Sequence, residues 1–158
     1  MIVKRAAAVV SRVIVIASLI LSLPHDGLAC SCLAPRAKKR VEGAAAAFSG
    51  KVSKVEYLDP DEERVEPRIV VTFEVYRSWK GPRDRSVVLH TVYNKWTCEG
   101  YFFKEGEEYL VFAGENRGHT AERFAPAKDT LGTSPCATKE LARAEEELRE
   151  LGPGRKPE

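Results

Sequence analysis

The sequence predicts a mainly β domain with flanking helices. Three observations predict it: runs rich in β-branched and aromatic residues, turn-forming clusters between them, and cysteines placed to tie the start of the domain to later segments. The runs are Lys51 to Leu58, Arg68 to Trp79, Ser86 to Tyr93 and Glu108 to Ala113. In the second run Ile69, Val71, Phe73 and Val75 alternate with Val70, Thr72, Glu74 and Tyr76, the period of two that marks a strand with one face packed inward. The first set is the predicted core face. Asp59-Pro60-Asp61, Glu66-Pro67 and Lys80-Gly81-Pro82 carry turn chemistry and separate the strands without marking a domain boundary.

A short helix is predicted from Arg36 to about Ala47, where Ala, Lys, Arg and Glu dominate despite Gly43. Lys38, Lys39 and Arg40 read as its solvated face. A second helix, capped by Thr138, carries Leu141, Ala144, Leu148 and Leu151 on one stripe and stops at Gly152-Pro153. Glu145, Glu146, Glu147 and Glu150 fall mainly on its outer side. Short strands, a helix at each end and an N-terminal staple fit a five-stranded OB-like Greek-key barrel, with a sandwich as the other arrangement of the same strands.

The first 29 residues read as a cleavable signal peptide. Lys4, Arg5 and Arg12 are the positive region, and the apolar run from Val13 to Leu23 covers roughly 16 Å against a bilayer core of about 30 Å. Gly27 and Ala29 suit cleavage after Ala29, which makes Cys30 the new N-terminus and gives a secreted or periplasmic product. The domain organisation is then 1–29 signal, 30–152 one domain, and 153–158 a flexible tail. No transmembrane segment remains after cleavage. Removing Lys4, Arg5, Arg12 and Asp26 from 25 basic and 23 acidic residues leaves the two signs equal. A neutral domain without a basic, aromatic-interleaved tract does not point to nucleic acid as a partner.

Cys30, Cys32, Cys98 and Cys136 all follow the signal, in an oxidising compartment, so disulfides are expected. Pairing Cys30 with Cys32 would close too small a ring for unstrained geometry, and the other two connectivities stay open on spacing alone. A zinc site fits poorly: Cys-x-Cys is not a finger spacing, and His90 and His119 complete no pattern. Neither histidine has a nucleophile or carboxylate partner at motif spacing. Asp61 with Glu62 and Glu107 with Glu108 read as solvent-facing charges, and Trp79, Trp96, Tyr101 and Phe102 as packing residues, so neither an enzyme nor a bound cofactor is indicated.

Five motifs carry a family resemblance: Cys30-Ser31-Cys32 at the cleavage site, Phe48-Ser49-Gly50-Lys51-Val52, Phe73-Glu74-Val75 running to Trp79-Lys80-Gly81, Cys98-Glu99-Gly100-Tyr101, and Thr133-Ser134-Pro135-Cys136. The chain resembles the tissue inhibitors of metalloproteinases and their bacterial relatives, within the netrin-like OB-fold group. The resemblance implies that the α-amine and carbonyl of Cys30 chelate the catalytic zinc of a partner metalloprotease while Ser31 enters its specificity pocket. It also implies disulfides Cys30–Cys98 and Cys32–Cys136, with no metal intrinsic to the chain. Glu99 departs from the family pattern, which places Gly directly after Cys. The other functional class for such a barrel is an extracytoplasmic binding or structural module, one variant being lipid-anchored at Cys30. Gly27 argues against that anchor, because a lipobox prefers Leu at this position.

Overall fold

The computed structural model describes residues 31–58, 67–94, 98–117 and 130–158. The signal segment, Cys30, the Asp59-Pro60-Asp61 turn with Glu62 and Glu66, Trp96 and His119 lie outside the described residues. An N-terminal helix (Ala37–Gly43) leads into β1 (Ala46–Tyr57), β2 (Arg68–Lys80), β3 (Ser86–Asn94), β4 (Glu99–Gly100), β5 (Glu108–Glu115), β6 (Leu131–Gly132) and β7 (Thr138–Glu140). Single 3₁₀ turns at Pro135–Ala137 and Leu141–Arg143 flank β7, and a C-terminal helix (Glu145–Leu151) follows.

β1 pairs antiparallel with β2, β2 with β3, β5 with β6 and β5 with β1, while β3 pairs parallel with β6 at Leu89 and Leu131. The ring β1–β2–β3–β6–β5 therefore returns to β1 and closes a five-stranded mixed barrel. β4 extends the end of β3, and β7 lies along the first half of β5. Closure requires β1 to curve, and its register against β2 shifts at Ala47/Phe48, Ser49/Gly50 and Val52/Lys54. Gly50 sits in this bend because a β-carbon there would collide with the Glu74 carbonyl.

Ile69, Val71, Phe73 and Val75 all face inward and are buried, as their alternation predicts. Phe73 is the hub of the interior, with ring centroids 5.3 Å from Phe48 and 5.2 Å from Phe103, both edge-on. Such pairs add about 0.5–1.5 kcal/mol each beyond the area they bury. β1 and β5 are covered on both faces. Ala46, Phe48, Tyr109 and Val111 fill the barrel, whereas Ala47, Leu110 and Phe112 point outward under the two helices, joined by Ala37, Ala44 and Ala144.

This double burial explains where local propensity misplaces the helix ends. The first helix stops at Gly43 rather than Ala47. Ala44 is extended, Ala45 donates its N–H to the Ala113 carbonyl at 2.8 Å, and Ala46 and Ala47 join the ladder with β5, so sheet pairing overrides alanine's helix preference. Thr138 is not a helix cap. It pairs with Val111 in β7, its Oγ1 lies 2.8 Å from that of Thr133, and the helix begins only after Ala144, which makes no side-chain cap. Residues 153–158, read from sequence as a flexible tail, run beside β2: Arg155 and Ser78 exchange backbone hydrogen bonds of 2.8 Å, and the Glu158 N–H donates to the Arg83 carbonyl. The Trp79 indole N–H donates to the Gly152 carbonyl at 3.0 Å and fixes the start of that segment.

Candidate functional site

Ser31 to Pro35 form an exposed strip without regular secondary structure at one rim of the barrel, and Leu33 is 100% exposed. A covalent link holds it there. Cys32 and Cys136 form a disulfide with Cα atoms 5.3 Å apart, which ties the strip to the 3₁₀ turn between β6 and β7. Pro at the start of that turn presets its backbone, so the Cys136 anchor is itself rigidly placed. This is the pairing the resemblance implies for these two residues. Cys98 is also disulfide-bonded. It precedes β4, with a left-handed backbone (φ 57°), and Gly100 shares that conformation (φ 68°). A β-carbon at Gly100 would strike the Val92 carbonyl, so the close return of this segment onto β3 needs glycine.

One open groove runs along the strip and a second adjoins it. The first, of about 380 Å³, is lined by Ser31 to Pro35, Arg40, Phe112 and Cys136. The other, of about 360 Å³, is lined by Cys98 to Gly100, Asn116, Arg117 and Thr133. They share Gly114, Ser134 and Ala137, so Ser31, Cys32, Cys136 and Cys98 lie along one continuous rim. The Asn116 amide stiffens the second groove by donating to the His90 carbonyl at 2.9 Å and to Thr130 Oγ1 at 2.8 Å.

Arg40 is the residue that the sequence reading misses. Far from lying on a solvated face, its guanidinium sits 3.9 Å over the Phe112 ring, and Nη2 donates to the Cys136 carbonyl at 2.8 Å. Burial lowers its pKa, and the charge of Glu147 acts in the opposite sense. The stacking contributes about 0.5–2 kcal/mol and the charge-assisted hydrogen bond about 1.5–3 kcal/mol. Arg40 lies one helical turn after the buried Ala37, and its role becomes visible only once Phe112 and Cys136 are brought beside it.

Among the described residues no group of three or more His, Cys, Asp or Glu is placed to hold a metal, and no helix is long and apolar enough to cross a membrane. His90 lies on β3, where burial lowers its pKa and favours the neutral imidazole. Trp79 packs under the helices, and Tyr101 packs against Phe103 with ring centroids 4.9 Å apart, as packing residues do. Phe102 remains 44% exposed and packs against Tyr93.

The chain is thus a mainly β protein: a closed five-stranded barrel with N- and C-terminal helices and a disulfide that presents an exposed strip at its rim. No protein-family model matches it, and no curated protein does.

Proposed function

We propose that this protein is an exported inhibitor of zinc metalloproteases, related to the tissue inhibitors of metalloproteinases and built on an OB-like Greek-key barrel. The carrying observation is the Ser31 to Pro35 strip, exposed and disulfide-pinned to the rim directly after the residue that signal cleavage would make the N-terminus. Its α-amine nitrogen and carbonyl oxygen are the donor types that an open catalytic zinc accepts in place of its water. Pinning the strip lowers the ordering cost of binding, which is how a short segment gains affinity. Ser31, exposed next to Cys32, is then the side chain offered to the protease pocket. A Cys30–Cys98 disulfide would complete the arrangement and lock Cys30 to the same rim. The Greek-key reading of the barrel draws on strand order: β5 returns to lie beside β1 in the series β5–β1–β2–β3.

The test uses the oxidised domain starting at Cys30 and a form carrying one additional alanine ahead of it, each titrated against a panel of zinc metalloproteases. The unextended form should inhibit at least one protease, and the added alanine should abolish most of that inhibition by displacing the chelating amine. No inhibition by the unextended form would favour a binding or structural module, and equal inhibition by both forms would rule out chelation.

A further inference from the structure

We infer that Arg40 is the positioning residue of the exposed strip, holding Ser31 to Pro35 against the barrel rim through Cys136. The inference rests on the proposed function only for what the strip is used for; the positioning itself follows from geometry. Ser31 to Pro35 make no backbone–backbone hydrogen bond to another described residue, so the strip has no ladder of its own. It is held where it is attached. At its start the Cys32 sulfur is bonded to that of Cys136. At its far end the chain enters the N-terminal helix, whose Arg40 donates to the carbonyl of that same Cys136. Both attachments therefore converge on one residue, and the chain from Cys32 to Arg40 is a loop fastened at both ends to the 3₁₀ turn.

Phe112 explains why an arginine serves here. A guanidinium can sit over the ring and still direct an N–H at the Cys136 carbonyl, as the 3.9 Å and 2.8 Å contacts show. A lysine ammonium can reach the carbonyl or sit over the ring, with less purchase on both together. Glu150 holds the first turn of the helix by accepting the Ala37 and Lys38 N–H groups, but it does so on the side of the C-terminal helix. Arg40 is the charged side chain that lines the groove along the strip.

The test compares the oxidised wild-type domain starting at Cys30 with Arg40→Met, which keeps an apolar stem over Phe112 but no donor, and with Arg40→Lys. Two readouts do not depend on inhibition: backbone amide order of Ser31 to Ala34 by NMR relaxation, and the rate at which dithiothreitol reduces the Cys32–Cys136 disulfide. Wild type should show an ordered strip, with order parameters near 0.8. Arg40→Met should fall below about 0.6 and be reduced on the order of tenfold faster, while its core amides stay unchanged. Arg40→Lys should fall between the two. If Arg40→Met keeps wild-type order and reduction rate, the inference is overturned. Should Arg40→Met not fold, Arg40→Lys decides on the same two readouts, and wild-type values there also overturn it. A wild-type domain that inhibits no protease, in variants that nevertheless loosen as described, would remove the proposed function and leave the positioning role standing.

Discussion

Phe73 touches Phe48, Phe103 and Tyr109 edge-on and has no exposed surface, so truncating it leaves a cavity in the interior. Phe73→Ala should cost about 3–5 kcal/mol in a urea unfolding titration. A loss below 1 kcal/mol would mean that the interior is not packed around this ring. Glu147 makes a different kind of prediction. Burial pushes its pKa up, but the hydrogen bond from Lys139, its own backbone N–H and the charges of Lys139 and Arg40 outweigh that, leaving it below the usual 4.5. A depressed pKa in the folded state means that the carboxylate's contribution is present above about pH 4.5 and is lost as pH falls through the depressed value. Unfolding measured across that acidic range should steepen in the wild type and flatten in Glu147→Gln; identical profiles would contradict the Lys139 pairing, whose N–O distance is 2.7 Å. At this scale legibility followed chemistry. Phe73 was readable because alternation alone assigns its face, whereas Arg40 was not, because a charged residue beside two lysines reads as solvated until Phe112 and Cys136 are brought under it from far along the chain.

The two short helices depend on contacts from outside themselves. Neither has a side-chain N-cap from its own N-cap residue, and the first is capped instead by Glu150 of the second, whose carboxylate accepts the Ala37 N–H at 3.1 Å and the Lys38 N–H at 3.3 Å. Glu150→Ala should cost about 1 kcal/mol, the ordinary value of an N-cap, and should speed amide exchange at Ala37 and Lys38 selectively. Unchanged exchange there would show that the cap contributes nothing. The strands of 68–79, 86–93 and 108–113 were legible to within two residues, since β-branched periodicity and turn residues act locally, whereas the first, expected over 51–58, begins five residues earlier at Ala46. The helix boundaries were not legible. Ala45 to Ala47 have the propensity of a helix and Thr138 the chemistry of a cap, yet each is claimed by β5, a strand lying far away in sequence.

For the molecule as a whole, the Cys32–Cys136 link joins residues 104 apart and spans nearly all of the barrel. Replacing both by serine should lower stability by about 2–5 kcal/mol. A fully native unfolding midpoint would show that this link adds nothing to global stability. Barrel closure was only partly legible: the number of long strands and the helix at each end follow from pattern, but the parallel pairing of β3 with the two-residue β6 leaves no periodic trace in so short a segment. The tie between Cys32 and Cys136 was implied by the resemblance, and the grooves beside it were not legible, because they arise from residues that meet only in the folded barrel. The central claim is that the working end is a free Cys30 amine on a doubly disulfide-bonded domain. The most direct test is the intact mass of the protein recovered from an exporting host, before and after reduction, with the N-terminal peptide sequenced. The account predicts a chain starting at unmodified Cys30 that gains about four mass units on reduction, as two S–S bonds open. An acylated Cys30, a start elsewhere, or a smaller gain would contradict it.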